Sequence, residues 1–168
     1  MSLLTQLAQQ PNIIEKSTVD IGDIPSPPNF KKWKSNLIQE VVSASGRGER
    51  AFHLISEVDT KSFEDLDDCG DYESLDSKIG TSLLTKLRGN LENKAHARRN
   101  QMMINQRWMK GRQMLHMVYQ YFKVSRALGH VVDWRDLQRC TVQNDDLQRF
   151  LTQWDEIIFQ MEPPPSEE

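Results

Sequence analysis

Seven bases stand between Arg88 and Arg112 against a single acid, Glu92. Arg98, Arg99, Arg107, Lys110 and Arg112, with Trp108 among them, have the composition of a nucleic-acid contact, in which cations meet phosphates and an aromatic ring stacks on a base. The opposite charge gathers earlier. Nine acids and one base, Lys61, occupy residues 57–76. Asp65, Asp67, Asp68 and Asp71 there form an acidic patch complementary to the basic one. Complementary patches on one polypeptide favour head-to-tail contact between copies, which closes into rings or continues into lattices. A solvated basic face with Trp108 in the core is the plainer reading of the same residues.

Catalytic and metal chemistry find less support. Asp65, Asp67 and Gly70 occupy the first, third and sixth positions of a calcium loop. Its fifth position is Cys69 and its twelfth Asp76, where a hard cation needs an oxygen donor and a bidentate glutamate, so a solvated acidic turn is the expectation. His53, His96, His116 and His130 never fall at ligand spacing from one another or from a cysteine, so no metal site is expected. His53 and Glu57 share a helix face, and both His53 and His116 read as ordinary helix residues. No nucleophile elbow or glycine-rich phosphate loop appears; Gly46-Arg47-Gly48 lacks the GK[ST] element and a preceding strand. No catalytic residue and no cofactor are expected.

The elements that must carry these residues are helical. In 102–124, Met103, Trp108, Met114, Leu115, Val118, Tyr121 and Phe122 give a broad apolar face, clearest after Gly111, and Gln113, Gln120 and Lys123 mark the other side. Residues 1–28 read as an N-terminal arm interrupted by Pro11, Pro25, Pro27 and Pro28: a disordered leader, or a segment that orders on a neighbouring subunit. A helix from about Phe30 to Ala44, with Asn29 as N-cap, repeats Phe30, Trp33, Leu37 and Val41. A second, about Glu49 to Val58, places Phe52, Ile55 and Val58 on one side. Phe63 and Leu66 pin the acidic turn. A third begins near residues 72–74 and carries the ladder Leu75, Ile79, Leu83, Leu87 and Leu91, with Arg88-Gly89-Asn90 as a kink or end. Residues 92–101 are an exposed helix or a mobile connection. After Phe122 the spacing predicts a turn at Ala127-Leu128-Gly129 and a short helix capped by Asp133, with Leu137 inward. A last helix from Asn144 lines up Leu147, Phe150, Leu151, Trp154, Ile157, Ile158 and Met161.

The chain of 168 residues, 38% hydrophobic and 27% charged, is long enough for a real core. The expected architecture is all-α: a compact bundle of five to seven amphipathic helices over 29–161, with an extended N-terminal arm and a disordered Pro/Glu tail over 162–168. Its expected core includes Trp33, Leu83, Leu115, Val118, Phe122, Phe150 and Trp154. A net charge of −3 excludes a polycation. No run approaches about 20 apolar residues, so no membrane span is expected, and the N-terminus lacks the pattern of a signal peptide. Two cysteines, Cys69 and Cys140, give no disulfide framework and suit a reducing, cytoplasmic setting.

The order of several blocks is informative together. Phe30-Lys31-Lys32-Trp33-Lys34 heads one helix, and Tyr72-Glu73-Ser74-Leu75-Asp76-Ser77-Lys78 opens another that reaches Leu83-Leu84-Thr85-Lys86. Then follow Met109-Lys110-Gly111-Arg112-Gln113-Met114-Leu115-His116-Met117-Val118-Tyr119, Phe122-Lys123-Val124-Ser125 and Asp133-Trp134-Arg135-Asp136-Leu137. The series ends on Asn144-Asp145-Asp146-Leu147-Gln148-Arg149-Phe150-Leu151-Thr152-Gln153-Trp154-Asp155. From about Asn29 to Met161 this resembles the Gag-like, capsid-forming region of copia-type retrotransposon polyproteins. The resemblance implies a non-enzymatic, all-helical structural protein that self-associates into particles around RNA, with itself and RNA as partners and no small-molecule substrate. The chain has no C-x2-C-x4-H-x4-C zinc knuckle and no protease, integrase or polymerase segment, so the resemblance covers the capsid-like portion alone. Two other readings stay open: a helical nucleic-acid-binding module working through 88–112, and a helical adaptor for a protein partner.

Overall fold

The computed structural model describes residues 14–142 and 146–160, apart from the side chains of 126–136, 156, 159 and 160. The described residues form six α-helices and no strand: α1 (Phe30–Ser45), α2 (Glu49–Ser56), α3 (Glu73–Lys86), α4 (Gly89–Ile104), α5 (Gly111–Arg139) and α6 (Leu147–Gln160). Short 3-10 turns at Pro27–Asn29, Glu57–Asp59, Asp65–Asp67 and Gly70–Tyr72 fill the connections. The all-α architecture expected from apolar spacing is what the chain adopts.

The first half of α5 is the axis of the molecule, and α3 is its principal neighbour. The two backbones come close because both carry glycine at the crossing. A Cβ added at Gly111 would stand 2.0 Å from the Asp76 carbonyl oxygen and 2.6 Å from the Gly80 nitrogen. No other residue fits that space. Around this pair, Trp33, Leu37 and Val41 of α1, Ala51 and Ile55 of α2, Leu75, Ile79 and Leu83 of α3, and Met114, Leu115 and Val118 of α5 are buried. An aromatic cluster closes one end. Phe30 stacks on Phe122 at 4.5 Å between centroids and meets Tyr119 edge-on at 5.5 Å, offset and T-shaped arrangements that favour aromatic pairs. Tyr119 is buried, and that burial, helped by the charge of Asp59, pushes its phenol well above the usual value.

Several local expectations change. The ladder from Leu75 to Leu91 does not lie on one helix. Leu87 is extended, its φ and ψ being −62° and 143°, and α4 starts anew at Gly89; all five ladder side chains are nonetheless buried. Residues 92–101 are helical throughout, as the middle of α4. The stretch 102–124 is broken at 105–110, so Met103 and Trp108 face solvent instead of extending the α5 apolar face, and Tyr121 is also exposed. Gln113, expected on the polar side, is buried. The turn at Ala127-Leu128-Gly129 is absent, and residue 133 lies inside a helix instead of at the start of one, because α5 runs unbroken to Arg139; Leu137 does turn inward. Phe52 is exposed, and Ala51 takes the inner position on α2. Asn29 precedes α1 as expected, but its side chain donates to the Ser26 hydroxyl at 3.1 Å and leaves the helix uncapped.

Residues 14–24 lie as an extended strap across α1 and α3 of the same chain. Val19 and Ile21 are buried, the Lys16 N–H donates to the Ala44 carbonyl at 2.8 Å, and the Ser82 hydroxyl donates to the Val19 carbonyl. Glu15 pairs with Lys78, and Asp23 with Lys86 at 2.8 Å. This part of the expected N-terminal arm thus belongs to the body.

At the other end, α6 packs back on α5. Asp146 caps it, its carboxylate accepting the Arg149 N–H at 3.0 Å. Phe150 and Trp154 lie against each other at 5.7 Å. They are half-buried, and Leu147 and Leu151 are exposed, so Phe150 and Trp154 line a partly covered helix instead of joining the expected core. Asn144, the expected helix start, lies outside the described residues, as do Met161 and the tail 162–168.

Candidate macromolecular interface

The basic segment divides into one buried arginine and a group that is half-buried or exposed. Arg112 has no solvent-accessible side-chain surface. Its guanidinium donates to Glu57 at 2.7 Å, to the Leu54 carbonyl at 3.2 Å and to the Asp68 carbonyl, and its Nε lies 3.7 Å from Asp76. Asp76 in turn accepts the backbone N–H of Gly111 at 2.6 Å and of Arg112 at 2.9 Å. These are two of the N–H groups that a helix start leaves without a partner, so a carboxylate from α3 caps α5 across the interface. Burial pushes the Asp76 carboxyl above its usual range, and the two N–H donors and Arg112 offset only part of that. Burial acts the same way on Glu57, but there the bonds from Lys61 and Arg112 win and hold the carboxyl below its usual value. Gln113 completes the node. Its side chain accepts from the Lys110 N–H at 2.9 Å and donates to the Phe63 carbonyl at 2.9 Å. One turn on, His116 Nδ1 lies 3.2 Å from the Val58 carbonyl oxygen, an arrangement that needs the proton on that nitrogen.

Arg112 therefore leaves the set of nucleic-acid contacts. It is a packing residue that ties α2, the acidic turn and α3 to the start of α5. Asp76 likewise leaves the calcium pattern, since both its oxygens are engaged. Asp65 is occupied by the Ser62 hydroxyl at 2.6 Å, Asp68 closes a turn on the Gly70 N–H at 2.9 Å, and Cys69 is buried, which pushes its thiol up. Among the described residues no group of three His, Cys, Asp or Glu is placed to hold a metal. His53 pairs loosely with Glu49 at 3.8 Å, not with Glu57. The local sign of this node in the sequence was Gly80 inside a helical pattern, a residue that costs helix stability and so suggests a packing reason. Nothing local marked Asp76 as the partner.

The remaining cations are at the surface, several facing the acidic turn of their own chain. Arg98 pairs with Glu64 at 3.4 Å and lies over the Phe63 ring at 4.7 Å. Arg107 reaches Asp67 at 3.4 Å, and Lys110 reaches Glu73 at 3.4 Å. Asp71 is exposed. Complementarity expected between two copies is thus met largely within one. Arg99 differs: its guanidinium lies 5.6 Å over the exposed Trp108 ring. Beside it opens a solvent-facing cleft of about 340 Å³ lined by Glu73, Ser74, Asp76, Ser77, Trp108 and Lys110. A second opening of about 390 Å³ lies under the strap, between Pro25, Pro27, Lys86, Arg88 and Tyr121. No helix among the described residues is long and apolar enough to cross a membrane.

Neither a protein-family model nor a curated protein nor a solved structure matches the chain.

Proposed function

We propose that the chain is a non-enzymatic structural module of Gag/capsid type that self-associates around RNA. The observation that carries this reading is where the residues of the resemblance fall. Lys110-Gly111-Arg112-Gln113, the start of its most specific block, build the buried node at the head of α5. Gly111, Arg112 and Gln113 are buried there and act as a scaffold, while the Lys110 side chain reaches the neighbouring cleft. Of the last block, Leu147 to Asp155 lie on α6, whose apolar side is left partly open at Leu147 and Leu151. A two-helix hairpin buries only part of its apolar surface, and a second copy can cover the rest. A net charge of −3 sets little like-charge repulsion against that contact. Many weak contacts of this kind add up through multivalency.

Sedimentation velocity over a concentration and salt series tests the reading. Wild-type protein is expected to grow in size with concentration, and Leu151→Glu to grow less. A strict monomer at high concentration and low salt would overturn it. The exposed Trp108 ring with the half-buried Arg99 over it favours, as a second reading, a nucleic-acid-binding module working through residues 88–112; it predicts RNA affinity that falls steeply with salt in a protein that stays monomeric.

A further inference from the structure

Trp108 is held out in solvent by a built turn. It is 57% exposed. The segment before it is fixed by N–H donation from Asn105 and Arg107 to the Met102 carbonyl and from Gln106 to the Met103 carbonyl, at 2.9–3.0 Å. Gln106 has a φ of 56°, the left-handed region that side chains other than glycine, asparagine and aspartate enter at a cost. The left-handed Gln106 ends α4 as a Schellman cap, and the same bonds fix where the Trp108 ring stands. The ring lines the 340 Å³ cleft, whose other walls bring Glu73 and Lys110 side by side, 3.4 Å apart.

The chemistry of these walls selects a ligand. A flat heterocycle stacks on an indole whatever its identity. Glu73 offers two acceptor oxygens and no donor, and Lys110 offers donors only. The Watson–Crick edge of guanine presents two adjacent donors, N1–H and the N2 amino group, next to the O6 acceptor. That edge matches a carboxylate beside an ammonium. Adenine and cytosine place one donor there, and uracil one donor between two acceptors. Such edges are readable only on unpaired bases, the usual target of specific RNA recognition. Arg99, stacked on the same ring, and Arg107, next to Trp108 in the chain and loosely paired with Asp67, supply cations for flanking phosphates.

We propose that this cleft binds an unpaired guanine of single-stranded RNA, stacked on Trp108 and read by Glu73 and Lys110, with Arg99 and Arg107 on the neighbouring phosphates. The inference rests on the RNA-binding part of the function proposed above and names its site and its preferred base.

Fluorescence anisotropy with end-labelled UUUGUUU, UUUAUUU and UUUUUUU tests it. The guanine oligomer is expected to bind tightest. Trp108→Ala should weaken that binding by about tenfold, the usual loss for one stacked base, without changing the salt dependence. Glu73→Gln should bring UUUGUUU down to the level of UUUAUUU. Arg99→Gln and Arg107→Gln should each make the slope of log affinity against log salt shallower by about 0.7. Both Trp108 and Glu73 are exposed, so these variants keep the fold. Equal binding of all three oligomers, or full affinity in Trp108→Ala, overturns the cleft assignment while leaving RNA binding intact. Failure of the wild type to bind any oligomer at low salt overturns both. A Trp108→Ala variant that loses self-association without RNA present would make the ring a protein contact instead.

Discussion

Arg99 and Arg112 belong to the same basic segment, yet water reaches one and not the other. Arg112 is enclosed by carbonyls and carboxylates from α2, the acidic turn and α3. Removing it leaves buried acceptors without a donor and a space that the close-packed node cannot close. Arg112→Met is therefore expected to cost about 3–5 kcal/mol of stability, read as a lower urea midpoint. Arg99→Gln, which alters a surface stack, should stay within about 0.5 kcal/mol of wild type. Gly111 is constrained by shape alone. A methyl group there would overlap the α3 backbone, and backbone cannot rotate aside as a side chain can. Gly111→Ala is expected to destabilise by more than about 3 kcal/mol, beyond ordinary overpacking. Gly80→Ala, whose Cβ would lie 3.2 Å from the Gly111 Cα, should cost less.

At the scale of elements, spacing and punctuation located most helices, and the exceptions have physical causes. Phe30, Trp33, Leu37 and Val41 repeat as a helix does and are all buried on α1. The Ala-Leu-Gly at 127–129 resembles a stop signal, but glycine inside a helix costs only about 1 kcal/mol against alanine, and α5 continues through it. The strap shows the converse. Val19 and Ile21 are too few for a periodic signal, and their burial depends on a groove between α1 and α3 that exists only after those helices pack. Ile21→Ala is expected to cost about 2–5 kcal/mol, as for other buried aliphatic truncations, whereas a freely hanging arm would show no change in thermal or urea midpoint.

For the whole molecule, acid stability follows from which carboxylates folding favours as charged. Glu15 and Glu57 both have lowered pKa values, burial being outweighed by bonds from Lys78 and Ser74 in one case and from Lys61 and Arg112 in the other. The unfolded chain takes up protons at these groups first, near the usual 4.5. Their contribution is complete above that pH and is lost as pH falls through the lowered folded values. Asp76 is raised and works in the opposite sense: its part is fully present below its usual 3.8 and is lost as pH rises through the folded value. Urea midpoints measured from pH 6 downward should fall for the wild type below about 4.5, and less steeply for Glu57→Gln, which has one titrating group fewer. The amino-acid sequence by itself determined the helical class, the composition of the aliphatic and aromatic core around α1, α3 and the start of α5, and the existence of one acidic and one basic segment. Each of these is a local or periodic property. Only the tertiary structure decided which charges are buried, which acids meet which bases, and that Trp108 stands in water while Val19 lies in the core. The bonds that settle this join residues far apart, Arg112 to Asp76 across 36 positions and to Glu57 across 55. A charge carries no periodic signature of the partner that another helix will bring to it.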